Sequence, residues 1–368
     1  MVVTLLSSVF LSLLAGSCIY LFFLNRYLIE IRDRGRKFPI IATSLTAALL
    51  GSAVFGTVTA GSPWIIVPGL VLAATLVGEV RRVVIRRRCR GEPPKARENA
   101  GVSLARPLTT TDLALARYEL TCPEWSGPDL RIAHVSDFHA NHLLPAAYYE
   151  SVMQRVAETR PDLVFLTGDF VSKRESVPLL HRFLSIARGR LGTIAVLGNH
   201  DYWEGSAEVA EAVRSAGGIW LGNGCLRFTV EDRTAETTDE SPDGATTQGW
   251  PLCVCGCERP WGPGDCQRPA MEPGEMTLVL THTPDNIYDL SGPGVTAVFA
   301  GHYHAGQIRI PLLGSLVVPS AYGRLFDHGH FVVNGTHLFV TSGVGSAVPP
   351  FRMYCQPDVF IVDIHGRP

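Results

Sequence analysis

The sequence predicts an α/β protein in which two packed β-sheets are flanked by helices and preceded by an N-terminal helical membrane anchor. Three observations predict it. From residue 130 to 216, short apolar runs alternate with amphipathic helical patterns, as they do where central strands are covered on both faces. After residue 250, strand-like runs return with few helices between them, which calls for a second sheet. At the other end, residues 1–25 carry no charged side chain and two more long apolar stretches follow before residue 80.

The anchor, residues 1–90, is expected to hold three transmembrane helices at 2–24, 40–60 and 64–80. The first two are long enough for a bilayer, and the third is extended by Glu79 and Val80; Gly61, Ser62 and Pro63 supply the turn before it. A cleaved signal peptide is the alternative for the first stretch, but the basic n-region is missing and the apolar run is long for an h-region. A re-entrant or buried hairpin at 40–80 would leave the topology unchanged. Of the 32 Lys+Arg, 13 lie in residues 26–97, against four of the 34 Asp+Glu, so the head is basic and the remainder acidic. Arg26, Arg32, Arg34, Arg36 and Lys37 precede the second stretch, and Arg81, Arg82, Arg86, Arg87, Arg88 and Arg90 follow the third. Two spans separate these clusters, which places both on one side, and the positive-inside rule makes that side cytoplasmic. The expected location is the inner (cytoplasmic) membrane, multi-pass, with the body facing the cytoplasm. The run at 81–90 sets topology and has the composition to meet anionic headgroups.

Residues 91–128, with Gly91 and Pro93, Pro94, Pro107, Pro123 and Pro128, read as a linker holding one strand near 115–121. The body, 129–368, opens with strands at 130–136, 163–168 and 193–198, separated by helices near 145–159 and 177–187 and followed by a helix near 206–216. Residues 229–249 are rich in Thr, Asp, Glu and Gly without an apolar period and are expected to form a mobile insertion. Strands follow at 252–256, 277–282, 296–301, 338–343 and 359–364, with no repeat period. A cytoplasmic body would keep the nine cysteines reduced. Cys253, Cys255, Cys257 and Cys266 read as structural thiols, because C-x-C-x-C alternates as a strand does and lacks the C-x-x-C pairs of zinc knuckles.

Chemistry collects at the strand ends. The first run ends in Asp137, Phe138 and His139, the second in Gly168 and Asp169, the third in Gly198, Asn199, His200 and Asp201, the fourth in His282, and the fifth in Gly301, His302, Tyr303 and His304. Ligands in open α/β sheets gather outside the carboxyl ends of strands, so these groups converge. His302 and His304, two apart, project to one face of an extended segment. Glycines before Asp169, Asn199 and His302 permit sharp departures from the strands. Mixed carboxylate and imidazole donors suit divalent transition metals, and there are too many for one ion. Two ions about 3.5–4 Å apart clamp a phosphate for in-line displacement and supply hydroxide at neutral pH, which points to phosphoester hydrolysis.

In this order and spacing, SDFH, TGD, GNHD, TH and GHYHAGQ resemble the calcineurin-like metallophosphoesterase superfamily over roughly residues 130–365. GHYHAGQI, with the late SGVGSAVPPFR at 342–352, is more specifically similar to the membrane-associated YkuE-like branch, near the UDP-2,3-diacylglucosamine pyrophosphatases of chlamydia-type bacteria. The resemblance implies a metallophosphoesterase sandwich with two divalent metal ions, manganese first, iron or zinc as alternatives. It implies that Asp137, His139 and His304 hold one ion, that Asn199, His282 and His302 hold the other, and that Asp169 bridges. His200 resembles the histidine that contacts the phosphate or protonates the leaving oxygen. Two positions depart from the pattern: Ser172 stands where many relatives carry an acidic residue that orients this histidine, leaving Asp201 or another carboxylate for that task, and Asp201 itself stands where larger phosphatases often have Glu.

Arg352 resembles a Pro-x-Arg element, read either as gripping phosphate with its guanidinium or as a surface arginine stabilising its loop. Asn141 and His142, just past the first ligands, are candidates for substrate contact. The implied activity is hydrolysis of a phosphodiester or pyrophosphate by a membrane-anchored enzyme on a membrane-associated lipid substrate. UDP-2,3-diacylglucosamine, cleaved to UMP and a lipid sugar phosphate in the lipid A pathway, fits such an anchor. The alternatives are another nucleotide or phospholipid substrate and, from another class, an inactive metal-binding scaffold, against which the full ligand set speaks. The acidic body argues against nucleic acid, a transporter would need more spans, and no obligate protein partner is evident.

Overall fold

The computed structural model describes residues 1–28, 34–99, 101, 103–141, 143–231, 249–266 and 274–366. The chain divides into two compact units, Met1–Cys89 with Ser315–Asp327, and Arg90–Gly314 with His328–Pro368. The first unit holds α1 (Val2–Phe23), α2 (Arg34–Val58) and α3 (Ile66–Arg88), three helices long and apolar enough to cross a membrane. Arginines are good helix formers and no Gly or Pro stands between Gly78 and Gly91, so Arg81, Arg82, Arg86, Arg87 and Arg88 form the end of α3 itself. Arg32, with the rest of 29–33, lies outside the described residues. Small residues let α1 and α2 approach closely: α1 buries Ser8, Ser12 and Ala15, and a Cβ on Gly56 of α2 would fall 2.6 Å from Val9 Cα. The segment Ser315–Asp327 joins this unit through polar contacts. Asn25 donates to the Leu316 carbonyl at 3.2 Å and accepts from the Val318 N–H at 2.5 Å; Arg86 pairs with Asp327 at 2.6 Å, and Arg324 with Glu79 at 2.7 Å.

The described residues form fifteen strands: β1 (Ala96–Glu98), β2 (Ala114–Thr121), β3 (Leu130–Val135), β4 (Leu163–Thr167), β5 (Gly192–Val196), β6 (Ile219–Trp220), β7 (Cys225–Val230), β8 (Trp250–Cys257), β9 (Met276–Thr281), β10 (Val295–Ala300), β11 (Arg309–Ile310), β12 (Gly314–Ser315), β13 (Gly329–Val333), β14 (Thr336–Val340) and β15 (Asp358–His365). One sheet runs β1-β2-β15-β3-β4-β5-β6 and the other β13-β14-β10-β9-β8-β7. β3 to β6 are mutually parallel, as are β8, β9, β10 and β14. Between the sheets Tyr118, Ile132, Phe165 and Ile194 meet Leu252, Leu278, Phe299 and Phe339. The alternate residues Ala133, Val135, Val164 and Leu166 pack outward with Tyr149, Val152, Met153 and Val156 of α4 (Ala146–Glu158), Leu180 and Phe183 of α5 (Leu180–Leu184), and Val209 and Val213 of α7 (Ser206–Ser215). This side-to-side alternation is the period of two expected of strands covered on both faces. A short α6 (Asn199–Glu204) opens directly after β5.

Two expectations change, and a third falls mostly outside the described residues. The stretch read as a linker contributes two strands to the first sheet, and β2 pairs in parallel with β15 along its whole length. Its prolines lie outside those strands, where a missing N–H costs no ladder bond. The helix expected at 177–187 is a 3₁₀ turn, Arg174–Leu179, followed by α5 alone; Pro178 sits inside the turn and offers no N–H. The insertion expected at 229–249 falls mostly on 232–248, outside the described residues, with β7 and β8 pairing antiparallel on either side.

Phe299 on β10 is fully buried between the sheets, with ring centroids 5.1 Å from Phe165, 5.3 Å from Phe339 and 5.4 Å from His134. Phe299→Ala is expected to cost about 3–5 kcal/mol of stability, measured as the shift in denaturant unfolding of the detergent-solubilised protein.

Candidate metal centre

Seven donors meet where strands of both sheets end. Asp137 and His139 follow β3, Asp169 follows β4, Asn199 follows β5, His282 follows β9, and His302 and His304 follow β10; all are buried. His139 Nε2 lies 2.9 Å from His304 Nε2 and 3.4 Å from Asp169 Oδ2, and His304 Nε2 lies 3.4 Å from Asp137 Oδ1. On the other side His282 Nε2 lies 3.3 Å from Asp169 Oδ2, 3.2 Å from Asn199 Oδ1 and 3.1 Å from His302 Nδ1. Asp169 Oδ2 is thus shared by two clusters. These are the groups whose ligand atoms come together as Asp137, His139 and His304 and as Asp169, His282 and His302, with His139, Asp169 and His200 between them.

Glycine acts here by leaving room more than by turning. Of the three expected to bend the chain, Gly168 alone has a positive φ, +87°. A Cβ at Gly198 would lie 2.3 Å from Asp169 Oδ1, and one at Gly301 2.2 Å from Asp137 Oδ2. The donors make the bends themselves: Asp137, His139, Asp169, His302 and His304 all have φ between 46° and 69°. Asp and His tolerate the left-handed region better than most residues, yet each instance costs about 1–3 kcal/mol and persists only where the surroundings fix it. Here the Asp137 N–H donates to the Gly168 carbonyl at 2.9 Å, the His139 N–H to the Asp169 carbonyl at 2.8 Å, and the His302 N–H to Asp137 Oδ2 at 2.9 Å.

The electrostatics suit a cation. His282 Nδ1 lies 2.6 Å from the Thr167 carbonyl, which can only accept, so Nδ1 carries a proton and Nε2 is the atom turned to the site. Burial disfavours the His282 imidazolium, but Asp169 outweighs it and lifts the pKa to about 10. Burial pushes Asp169 up, but His282 and His200 hold it well below the usual carboxylate range. Burial lowers His139 and, with His139 and Arg352 nearby, holds His304 well below the ordinary histidine range. Facing imidazole nitrogens at 2.9 and 3.1 Å, beside carboxylates buried in the same place, are satisfied together by divalent cations. The donor set therefore fits two such ions, with Asp169 placed to serve both.

His200 stands at the partly exposed edge of this cluster. Its backbone N–H donates to Asp169 Oδ1 at 2.8 Å, and its ring lies edge-on to that of His139, 4.6 Å between centroids, and 4.8 Å from Trp203. Ser172, the position that departs from the resemblance, turns to His139: its Oγ is 3.1 Å from His139 Nδ1. Asp201 is engaged by backbone groups of two loops. It accepts from the N–H groups of Gly198 at 2.9 Å, Phe170 at 2.8 Å and Val171 at 3.3 Å, and so ties the loop after β4 to the loop after β5. Burial and the nearby Asp169 charge push its pKa up to about 8.

Arg352 is fully buried and not on the surface. Its Nε donates to the Gly345 carbonyl at 2.8 Å and its Nη2 to the Ser342 carbonyl at 2.7 Å, with His304 Nδ1 3.2 Å away. The guanidinium braces the 342–345 loop beneath the cluster. Asn141 closes a turn, donating to the His139 carbonyl at 2.7 Å and accepting from the Leu143 N–H at 2.7 Å. His142 lies outside the described residues.

Sequence reasoning passed over one strand end. After β8 come Glu258 and Trp261; the Trp261 ring lies 5.5 Å from His282 and 5.1 Å from His302, and Glu258 accepts from the Leu197 N–H at 2.6 Å and from Trp220 at 2.7 Å. The signal was available, since β8 ends in CERPWGPG. The expectation of reduced thiols is also corrected. Cys225 is bonded to Cys255 and Cys257 to Cys266, while Cys253 remains a thiol with its Sγ 3.6 Å from that of Cys255. The C-x-C-x-C run hid this because Cys225 lies on the neighbouring strand, directly opposite Cys255 in the β7–β8 register.

Residues 130–306 match the family model described as calcineurin-like phosphoesterase. A UDP-2,3-diacylglucosamine pyrophosphatase, LpxG, of Chlamydia muridarum is 41% identical over 276 residues, covering 63% of this chain and 83% of that protein. The uncharacterized metallophosphoesterase YkuE of Bacillus subtilis is 25% identical over 238 residues, covering 63% of this chain and 77% of that protein. The phosphodiesterase YaeI of Escherichia coli is 27% identical over 256 residues, covering 68% and 87%.

Removing the Ser172 hydroxyl leaves His139 Nδ1 without its partner. Ser172→Ala is expected to weaken metal binding about 10- to 100-fold, read by competition with a chelator of known affinity, with the fold retained.

Proposed function

The chain belongs to the calcineurin-like phosphoesterase family and is a hydrolase acting on phosphoester bonds, and we propose that it is a membrane-anchored dinuclear enzyme that cleaves the pyrophosphate of a lipid-linked nucleotide. The observation that carries the reading is the sharing of Asp169 Oδ2 by His139 at 3.4 Å and His282 at 3.3 Å, which divides the donors into two sets around one carboxylate. Asp137, His139 and His304 would hold one ion, Asn199, His282 and His302 the other, with Asp169 common to both. Two bound divalent ions, manganese first and iron or zinc as alternatives, would polarise phosphoryl oxygens and make water nucleophilic at neutral pH.

The chain's own residues supply the rest. His200, half-exposed beside the cluster, is the group placed to meet the phosphate or to give a proton to the leaving oxygen. Asp201 and Glu258 hold the loop from which His200 projects, through Gly198 and Leu197. Arg352 and Ser172 hold His304 and His139, and Trp261 limits water on the His282 side. The substrate proposed is UDP-2,3-diacylglucosamine, hydrolysed to UMP and an acylated sugar phosphate. Support comes from the similarity to LpxG, a UDP-2,3-diacylglucosamine pyrophosphatase, and from the three apolar helices, which would keep the enzyme where an acylated substrate resides. A different nucleotide or phospholipid ester remains the second reading, favoured by the phosphodiesterase relative.

The assay is UMP release from UDP-2,3-diacylglucosamine by the full-length protein in detergent with manganese, beside hydrolysis of bis(p-nitrophenyl) phosphate. Asp169→Ala is expected to abolish both activities and metal content together, whereas His200→Ala should lower turnover about 10²- to 10⁴-fold with metal content kept. Retention of metal and activity by the Asp169 variant would sink the dinuclear reading; bis(p-nitrophenyl) phosphate hydrolysis without UMP release would move the substrate to the second reading.

The cation clusters at 26–37 and 81–90 support a cytoplasmic body, while two cystines are commoner on the oxidising side. We favour the cytoplasmic side, because the cation asymmetry acts during insertion itself. C-terminal fluorescent-protein and alkaline-phosphatase fusions check it: fluorescence without phosphatase activity is the expected result.

A further inference from the structure

Three segments of the second unit come together beside the metal cluster. The Arg309 N–H donates to the Met353 carbonyl at 3.0 Å, and the Met353 N–H to the Gln307 carbonyl at 3.0 Å; the Tyr354 N–H donates to the Pro107 carbonyl at 2.7 Å, and Leu108 bridges to Met353. Gln307 also accepts from the Ala347 N–H at 2.9 Å. The connection to the cluster is direct, since Arg352 lies 3.2 Å from His304 and the Cys355 thiol donates to the His304 carbonyl at 3.2 Å.

The surface these segments present is unusual in composition. Leu104, Leu108, Leu312, Leu313, Val348 and Phe351 are all exposed, Leu312 completely so at 107%. Single exposed apolar residues are ordinary, but a group of six large ones on segments hydrogen-bonded to each other is not. Residues 103–108, 307–314 and 346–354 contain no Asp or Glu in an otherwise acidic body, and they carry Arg106 and Arg309. Apolar side chains flanked by cations without carboxylates are the composition of a surface that enters an anionic lipid interface. The chain itself supplies the bilayer: it has three helices able to cross one, and directly after Gly314 it enters Ser315–Asp327, the segment that packs with those helices.

We propose that this rim, led by Leu312 and Leu313, docks on the membrane surface and seats the active site over the headgroup of a lipid substrate. The inference rests on the membrane-anchored reading given above and adds to it a lipid-contacting surface on the phosphoesterase unit itself. Leu312 and Leu313 enter the interface, while Arg106 and Arg309 stay at headgroup level.

The test is photo-crosslinking of the full-length protein in nanodiscs of mixed phosphatidylglycerol and phosphatidylethanolamine, with benzoylphenylalanine placed at Leu312, at Leu70 within α3, or at the exposed Tyr288, and adducts identified by mass spectrometry. Lipid adducts at Leu312 and Leu70 but not at Tyr288 support the rim. Adducts at Leu70 alone overturn it and leave the anchor standing, and adducts at neither position overturn both. Equal adducts at Tyr288 overturn it, as does crosslinking of Leu312 to a second copy of the chain or to another polypeptide. In a second arm, the double variant Leu312→Ser with Leu313→Ser should raise KM for a vesicle-embedded phosphodiester about tenfold or more, with kcat and the hydrolysis of soluble bis(p-nitrophenyl) phosphate unchanged. An unchanged KM, or an equal loss on the soluble substrate, counts against lipid contact.

Discussion

Asp169 is a carboxylate almost without access to water, and the rest of the phosphoesterase unit is arranged so that this charge can stay there. An isolated buried carboxylate would take up a proton before it paid the desolvation cost. Here His282 and His139 stand against one oxygen, at 3.3 and 3.4 Å, and the other accepts the backbone N–H of His200. The same oxygen that is satisfied by two imidazoles is the one a pair of cations would share, so the interaction that stabilises the loop is also the one that defines the site.

That constraint propagates outward. For Asp169 to reach both sets, the loops after β4 and β5 must approach within van der Waals contact, which is why Gly198 has no side chain and why Asp201 gathers N–H groups from both loops. The neighbouring loop after β3 meets the loop after β10 under the same crowding, with Gly301 against Asp137. Five donors adopt left-handed backbone, and the cost of those conformations is borne by two apolar layers. One lies between the sheets and the other between the first sheet and its helices. A rigid double sheet below and strained, hydrogen-bonded loops above is the division of labour expected where a site needs fixed geometry.

The helical unit follows different physics. Its helices meet through Ser8, Ser12, Gly16 and Gly56, where close backbone approach replaces the hydrophobic drive available in water. Charged side chains of α3 pair with the Ser315–Asp327 segment, Arg86 with Asp327 and Glu79 with Arg324. The membrane location proposed above would bring together an acidic phosphoesterase unit and a lipid phosphoester, and the cationic apolar rim on 103–108, 307–314 and 346–354 is the part of that unit whose composition matches such a setting.

Residue chemistry and local order were legible in the sequence. Strand-length apolar runs, the polar residue closing each one, and the uncharged N-terminal stretches depend on neighbours in the chain, and so the two sheets, the three long helices and the seven donors could be read directly. What needed the tertiary structure were the relations between residues far apart in sequence. Ser172 turned to His139, 33 positions away; Arg352 went inward to the 342–345 loop; Cys225 found Cys255 across a strand pair; and Trp261 arrived at His282 and His302 from the end of β8. A side chain's type is fixed by the gene, but its partner is chosen by packing, and hydrogen-bond geometry over a few ångströms decides which of several chemically suitable groups receives it.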